Sequence, residues 1–151
     1  MADLDRQNEQ VLTGYCLCGS CSFELVGRPN WVGHCHCESC RRATSSPFTT
    51  WIGHPNGSWS WTGAEPKRFE SSLGCIRGFC GNCGSPMFFS SSKFPGETHF
   101  YASLLSDPTR AYPTRHYHLE RGGEGIFAIF CRTREQAHCN LDVTVDFVGV
   151  P

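Results

Sequence analysis

Three cysteine segments decide the fold of this chain: Cys16-Leu-Cys18-Gly-Ser-Cys21, Cys35-His-Cys37-Glu-Ser-Cys40 and Cys80-Gly-Asn-Cys83-Gly84. Together they contain eight of the 11 cysteines in a chain of 151 residues. Cysteine pairs spaced as Cys-x-x-Cys and followed by glycine are typical of zinc knuckles. The small residues let backbone N–H groups turn toward the sulfurs, and two thiolates then converge on one ion. The three segments therefore predict metal binding.

The redox setting expected for this chain favours metal sites over disulfides. The first ten residues are polar and carry neither a basic nor an apolar segment, so we read 1–10 as a loose leader without a secretory signal. A chain that is not exported is expected to be cytoplasmic, where thiols stay reduced. The cysteine count is also odd, so a disulfide framework would leave one thiol over. Disulfides without metal remain the alternative.

Composition limits the classes of function. A chain of this length is expected to form one domain. Its net charge of -1 leaves no broad basic surface, so we expect neither nucleic acid nor an anionic membrane surface as a partner. Apolar runs all fall well short of the ~18 residues that a membrane-spanning helix needs. The composition therefore argues against these partners and against a membrane span, and it does not select among the remaining functions.

Short segments of alternating or β-branched residues between turns predict a mainly β domain. Helical periodicity is weak, and brief helical turns are expected only after Cys40 and near Thr133–Ala137. The cleanest alternation is Leu141–Phe147, with Leu141 on the core face. The predicted strands are Ser22–Val26, Phe48–Ile52, Trp59–Trp61, Thr98–Ala102, Gly125–Cys131 and Leu141–Phe147.

The favoured partition of the cysteines is a closed site and an open one. The first joins two pairs that are distant in the sequence, Cys16 with Cys18 and Cys80 with Cys83, as in a zinc ribbon. The second uses three ligands within six residues, which leaves one face of the ion uncovered. Its ligands would be Cys35, Cys37 and Cys40.

Other arrangements stay open at this point. Cys21, Cys75 or a histidine such as His36 could complete the second site and make it purely structural. His36 could equally point away from it on an extended segment, next to His34. Cys21 is otherwise expected to be a buried thiol. The isolated cysteines are interpreted as small buried hydrophobic residues, and they are Cys75, Cys131 and Cys139.

Two arginines follow the second cysteine cluster directly. Arg41 and Arg42 could offset the negative charge of a zinc–thiolate centre or bind a substrate carboxylate, although solvated arginines on a helical turn are the plain alternative. Trp51, Trp59 and Trp61 are expected in the core. The sequence offers no convincing general base, catalytic Ser-His-Asp set or phosphate-binding loop, so the chemistry is assigned to the metal.

The ordered motifs resemble one known family. Gly14-Tyr-Cys16-Leu-Cys18-Gly19, His34-Cys35-His36-Cys37-Glu-Ser-Cys40-Arg41-Arg42 and Arg77-Gly-Phe-Cys80-Gly-Asn-Cys83-Gly84-Ser-Pro86 follow one another as in the glutathione-dependent formaldehyde-activating (GFA) family, whose domain is shared with centromere protein V. The resemblance runs from about Gly14 to Pro113, and residues 11–151 are assigned to this domain with a diverged part after 113.

This resemblance implies a single antiparallel β-tent domain with two zinc ions. The structural zinc would be bound by Cys16, Cys18, Cys80 and Cys83, and the reactive zinc by Cys35, Cys37 and Cys40. The implied activity is the condensation of glutathione with formaldehyde to S-(hydroxymethyl)glutathione, a carbon–sulfur lyase reaction. A small thiol and a small aldehyde are then the partners, and a homodimer is compatible with the sequence.

Two rival functions and two departures from the family pattern accompany this reading. The rivals are a zinc-stabilised binding module without turnover and an enzyme of the same fold that acts on another small electrophile.

Ser45 stands where the family commonly has glycine, which costs about 1 kcal/mol if the position needs a positive φ. The tail carries His116-Tyr-His118 in place of the usual tryptophan-containing segment.

Overall fold

A computed structural model describes residues 10–122, and this part of the chain is mainly β, as the sequence predicts. None of its helices is long and apolar enough to cross a membrane. One α-helix, α1, spans Glu38–Thr44, and single 3-10 turns span Ala102–Leu104, Pro108–Arg110 and Leu119–Arg121. The strands are β1 (Val11–Tyr15), β2 (Ser22–Val26), β3 (Trp31–Cys35), β4 (Thr49–Pro55), β5 (Trp59–Trp61), β6 (Lys67–Ser72), β7 (Cys75–Phe79), β8 (Pro86–Ser91), β9 (Glu97–Tyr101) and β10 (Arg115–Tyr117).

The strands form two sheets. The small sheet has the order β1-β2-β5, and the large sheet has the order β10-β3-β4-β9-β8-β7-β6. Neighbouring strands pair antiparallel throughout residues 10–122 except β10 and β3, which run parallel and place Tyr117 beside Cys35. The segment after Pro113 is thereby attached to the strand that leads into the second cysteine cluster.

The hydrophobic core lies between the two sheets. Alternation on β2 buries Phe23 and Leu25, and the Phe23 ring lies 4.9 Å from that of Phe100 on β9. Trp59 and Trp61 of β5 pack against this core, as expected. On the large sheet, consecutive residues are buried on opposite faces. Ile52 faces the core, whereas its neighbour Trp51 belongs to a second cluster with Cys35, Cys40 and Tyr101.

The predicted strands fare unevenly. β2 and β5 have the predicted bounds, and β4 and β9 are displaced by one to a few residues. The sequence analysis did not find β1, β3, β6, β7, β8 and β10. The leader 1–9, the predicted strands Gly125–Cys131 and Leu141–Phe147 and the predicted turn at Thr133–Ala137 lie outside the described residues.

The helical turn expected after Cys40 is present, but α1 begins earlier than expected, at Glu38. Cys37 is the N-cap residue, and its sulfur accepts a hydrogen bond from the backbone N–H of Cys40. Cys40 is therefore inside the helix. The helix ends at Ser45, which adopts a left-handed conformation with φ 52° and donates its N–H to the carbonyl of Arg41. The position where the family commonly has glycine does require a positive φ.

Candidate metal centre and cavity

The first cysteine cluster joins the two sheets. Cys16 and Cys18 follow β1 of the small sheet, and Cys80 and Cys83 follow β7 of the large sheet. All four sulfurs lie within 4.8 Å of one another. The Sγ atom of Cys18 lies 3.5 Å from the Sγ atom of Cys16 and 3.8 Å from the Sγ atom of Cys80. Zinc–sulfur bonds of about 2.3 Å in a tetrahedron place sulfurs about 3.8 Å apart, so this cluster suits a zinc ion.

Hydrogen bonds orient the sulfurs of this cluster. The backbone N–H of Cys21 donates to Sγ of Cys16 at 3.3 Å, and the amide of Asn82 donates to Sγ of Cys18 at 3.3 Å. The pKa of Cys83 falls to about 5, mainly because the Ser85 hydroxyl and backbone donate to its sulfur. Donors that favour thiolates prepare the cluster for a cation.

Cys21 is the fifth sulfur at this end of the molecule and stays protonated. It is buried, and burial, followed by the neighbouring thiols of Cys80 and Cys16, raises its pKa to about 12. Its expected role as a buried thiol is confirmed. The group of ligand atoms that could hold an ion is made by the other four sulfurs, those of Cys16, Cys18, Cys80 and Cys83.

The second cluster lies on the opposite face of the large sheet, where β3 passes into α1. Cys35 ends β3, Cys37 caps α1 and Cys40 lies in its first turn, and their sulfurs are within 4.8 Å of one another. No fourth His, Cys, Asp or Glu ligand atom joins them within residues 10–122. Three sulfur donors with an open position could hold a metal ion of the reactive kind.

The thiols of this triad share their protons unequally. Hydrogen bonds from Cys35 and Cys40 lower the pKa of Cys37 to about 2. Hydrogen bonds with Cys37 and Cys40, together with burial, raise the pKa of Cys35.

The nine cysteines of residues 10–122 are all free thiols, so the disulfide alternative finds no support within this part of the chain.

The two histidines that flank Cys35 do not join the triad. His36 is fully buried, and its Nε2 lies 3.0 Å from Nδ1 of His116 on β10. Nδ1 of His34 lies 2.9 Å from the Thr50 hydroxyl. Burial, together with the neighbouring His116, lowers the pKa of both to about 4, so these rings are neutral near pH 7. His34 contacts β4 and His36 contacts β10, and no ring nitrogen of either belongs to the ligand atoms that converge at the triad.

The open side of the triad faces a cavity of about 660 Å³. Its floor is the outer face of the large sheet, where alternate residues of five strands point the same way. Its walls come from α1, the β8–β9 turn and the segment after β10. The floor residues are Trp31 and Cys35 of β3, Trp51 of β4, Glu97 and His99 of β9, Phe89 of β8, and Cys75 and Arg77 of β7.

The two arginines after the triad have different surroundings. Nε of Arg41 donates to the carbonyl of His36 at 3.1 Å, and Nη2 donates to the carbonyl of Arg121 at 3.1 Å, so this side chain ties α1 to the segment after β10. Arg42 lines the cavity, and its Nε lies 2.7 Å from the Glu38 carboxylate in an exposed ion pair. Of the two, Arg42 is the one placed to meet a ligand.

Two expectations about cavity residues need correction. Cys75 is half-buried in the cavity floor, and its Sγ forms a hydrogen bond with the Ser91 hydroxyl at 3.5 Å, so it is not a buried core residue. Trp51 is buried, yet it stands in the cavity floor 4.1 Å from the Tyr101 ring instead of in the core between the sheets. Both lie on strands buried on two faces, where burial alone does not distinguish core from site.

Sequence reasoning also missed a buried acid–base pair. Oε1 of Glu97 lies 2.7 Å from Nε2 of His99 and accepts a hydrogen bond from Trp31 at 3.0 Å, and Oε2 accepts from Asn30 at 2.9 Å. Burial alone would raise the pKa of Glu97, but these three donors outweigh it and lower that pKa. Burial lowers the pKa of His99. The i, i+2 spacing of Glu97 and His99 on a strand was the available signal.

Arg77 is the third residue that sequence reasoning missed. It is only 6% exposed and lines the cavity. Its Nη2 donates to the Ser39 hydroxyl at 3.0 Å, between the second and third cysteines of the triad, and its guanidinium carbon lies 4.9 Å from the centre of the Phe89 ring. An arginine two residues from Cys75 and three before Cys80, in an otherwise uncharged strand, was the signal.

Comparisons with known proteins agree with this geometry. The family model described as "Glutathione-dependent formaldehyde-activating enzyme" matches residues 11–121. A protein of Schizosaccharomyces pombe named as an uncharacterized lyase is 32% identical over 77 residues, which cover 51% of this chain and 56% of that protein. The chain thus spans only about half the length of this relative. A crystal structure of a Rhodobacter sphaeroides protein matches 65% of this chain and 93% of its own with a TM-score of 0.53 at 19% identity, which supports the fold.

Proposed function

The chain belongs to the glutathione-dependent formaldehyde-activating enzyme family, whose model covers residues 11–121, and on that premise we propose that it is a zinc-dependent carbon–sulfur lyase. Its reaction is the condensation of glutathione, or a similar small thiol, with formaldehyde or another small aldehyde. One observation carries this proposal: Cys35, Cys37 and Cys40 converge without a fourth ligand from residues 10–122, and their open side faces the cavity.

The proposed reaction conserves atoms and electrons without an oxidant. The thiol loses its proton, its sulfur bonds to the carbonyl carbon, and the electron pair of the C=O π bond moves to oxygen, which takes up a proton. Zinc at the triad would supply the lowered pKa of the thiol and the polarisation of the aldehyde. The product carries an S–CH2–OH group when the aldehyde is formaldehyde.

The chain's own residues orient the reactants and exclude water. Trp31, Trp51 and Phe89 give the floor an apolar surface on which a small aldehyde is shielded from hydration. The closed site of Cys16, Cys18, Cys80 and Cys83 would hold the second zinc and fix the two sheets against each other. Arg41 and Arg42 remain proposed contacts for a substrate carboxylate, and of these Arg42 already lines the cavity.

The space beside the triad distinguishes the proposed enzyme from a binding module without turnover. A binding module without turnover needs no space beside its metal, whereas here a cavity of about 660 Å³ opens on the triad. An enzyme of the same fold that acts on another electrophile differs only in its preferred aldehyde. A panel of thiols and aldehydes with the metal-loaded chain separates these two enzymatic readings.

Metal content of paired variants tests the proposal. We expect two zinc ions per chain in the wild type by native mass spectrometry, and one ion with a retained fold and lost condensation activity in Cys37→Ala. Cys75→Ala is the matched control, because Cys75 lines the same cavity but lies outside the triad, and it should keep both ions. Loss of both ions and unfolding in Cys37→Ala would assign the triad a structural role instead.

A further inference from the structure

Arg77 carries an unsatisfied donor in the middle of the site. Its Nη1 is completely buried and has no hydrogen-bond partner among residues 10–122, while Nη2 donates to Ser39. The Tyr101 hydroxyl also lies against the guanidinium, which opposes the rise in pKa that burial causes in that hydroxyl. A buried donor of a charged group that lacks an acceptor is costly, because the water it gave up is not replaced. Stacking on Phe89 offsets part of that cost but supplies no acceptor. An arginine in this position points to an anionic group that completes its hydrogen bonds.

The charges of the cavity point to the same kind of ligand. Its two carboxylates are engaged, since Glu38 pairs with Arg42 and Glu97 accepts from Asn30, Trp31 and His99. Arg77 and Lys93, by contrast, have no carboxylate within ion-pair distance in the described part of the chain. Both line the cavity, Arg77 on the floor and Lys93 in the exposed turn after β8. Arg77 favours the thiolate of Cys40, and both cations favour that of Cys75, but neither has a carboxylate partner. Two such cations on one side of a concave site attract an anion.

The position of Arg77 limits the length of the ligand that carries the anionic group. Ser39, its hydrogen-bond partner, lies in α1 between Cys37 and Cys40, so the guanidinium is next to the triad rather than at the cavity mouth. The cavity is also lined by the hydroxyls of Ser71 and Ser72 and by the thiol of Cys75. A ligand with one reacting group at the triad and one anionic group at Arg77 is therefore short.

We propose that Arg77, with Lys93 at the rim, forms a carboxylate-binding subsite, so that one of the two reactants reaching the triad is a short molecule bearing a carboxylate. This inference rests on the proposed function for the identity of the reacting group. The planar guanidinium fork matches a carboxylate in two hydrogen bonds, which a point charge does not. The carboxylate belongs to the thiol or to the aldehyde, and the experiment separates these sources.

Calorimetric titration of the full, zinc-loaded chain with two matched pairs of ligands tests the subsite. The thiol pair is 3-mercaptopropionate and 3-mercapto-1-propanol, which differ in the carboxylate alone, and the aldehyde pair is glyoxylate and acetaldehyde. A hydrogen-bonded charge pair in a buried site is expected to favour the carboxylate member of one pair by about tenfold or more. Preference in the thiol pair assigns the carboxylate to the thiol, and preference in the aldehyde pair assigns it to the aldehyde.

Variants show whether Arg77 causes the preference. In Arg77→Gln the carboxylate preference should disappear while affinity for the uncharged member changes less than about twofold, and Lys93→Gln should weaken only the carboxylate member, by about two- to threefold. Equal weakening of both members in Arg77→Gln would mean that Arg77 merely supports the triad, and would overturn the proposal. If Arg77→Gln does not fold, the wild type decides, because no preference in either pair overturns the subsite.

Failure of the subsite and failure of the proposed function give different results. Propionate, which has no reacting group, should bind the wild type weakly and Arg77→Gln not at all. If propionate binds in this way but neither thiol binds more tightly than propionate, the subsite stands and the proposed thiol chemistry falls. If both thiols bind equally and propionate does not bind, the thiol chemistry stands and the subsite falls.

Discussion

Substitution of Ser45 by glycine should stabilise this protein, although it removes a side chain. Ser45 ends α1 with φ 52° and ψ 34°, in the left-handed region, and its hydroxyl makes no hydrogen bond among the residues described. An L-residue in this region costs about 1–2 kcal/mol relative to glycine. Glycine has a larger conformational entropy in the unfolded chain, which offsets about 0.4–1 kcal/mol of that gain. At the middle of these two ranges the net stabilisation of Ser45→Gly is about 0.8 kcal/mol.

Scanning calorimetry of the metal-saturated chain measures this effect. In a domain of this size a stabilisation of 1 kcal/mol raises the Tm by about 2–4 °C, so Ser45→Gly should raise it by about 1–4 °C. Ser45→Ala is the first control and should give no increase, because alanine keeps the left-handed penalty. Ala43→Gly is the second control, since glycine inside α1 should lower the Tm by a similar amount.

The reasoning is refuted by a Tm of Ser45→Gly that does not exceed that of Ser45→Ala. The substitution should also leave the metal-to-protein ratio unchanged, because the backbone N–H of Ser45 still donates to the carbonyl of Arg41 and α1 keeps its end. A changed ratio would show that the loop after α1 contributes to the triad through more than this cap.

Three further predictions concern the sheet, the cavity and the closed site. Gly78→Ala should destabilise the fold by about 1–3 kcal/mol in urea unfolding, because its Cβ would overlap the Phe88 ring. His99→Gln should flatten the pH dependence of stability. Burial lowers the pKa of His99 below its usual value of 6.5. As the pH drops below that value, His99 is protonated in the unfolded chain before it is protonated in the folded chain, so wild-type stability falls. An equal slope of unfolding free energy against pH for wild type and variant between about pH 7 and 5 would contradict this. Cys83→Ser should lose one ion and its cooperative thermal transition, whereas Cys21→Ala should keep both ions by mass spectrometry, since the Cys21 thiol lies outside the four-sulfur site.

The convergence of the cysteines could be predicted from the sequence because metal-ligand spacing is a local signal. Pairs of sulfurs separated by one or two residues have few ways to meet one ion, so the spacing favoured one partition and the family resemblance implied the same one. The structure brings together the two sets of that partition, which are Cys16, Cys18, Cys80 and Cys83, and Cys35, Cys37 and Cys40. Strand β2 was predictable for a similar reason, since one of its faces is buried and the other is not. Local regularity of either kind is visible without knowledge of the partner strand.

Two of the missed strands, β6 and β3, lack that regularity. All residues of β6 are exposed, so nothing in Lys67–Ser72 alternates, and in β3 the buried residues Val32 and Cys35 do not follow period two because both faces of that strand are covered. The role of Arg77 was missed for a further reason. Its role depends on Phe89 and Ser39, which only the pairing of β7 with β8 and the placement of α1 bring near it.

The parallel pairing of β10 with β3 brings a segment that is late in the chain next to the cysteine triad. The metal-ligating residues and the other residues around the triad therefore come from separate parts of the sequence. The three sulfurs that converge at the triad fall within Cys35–Cys40, whereas the lining residues Tyr117, His118 and Arg121 follow the other nine strands in the chain. Lineages could therefore exchange the late segment and alter which molecules enter without rebuilding the chemistry beneath it. For protein engineers, residues 115–121 are the natural cassette for grafting between homologues.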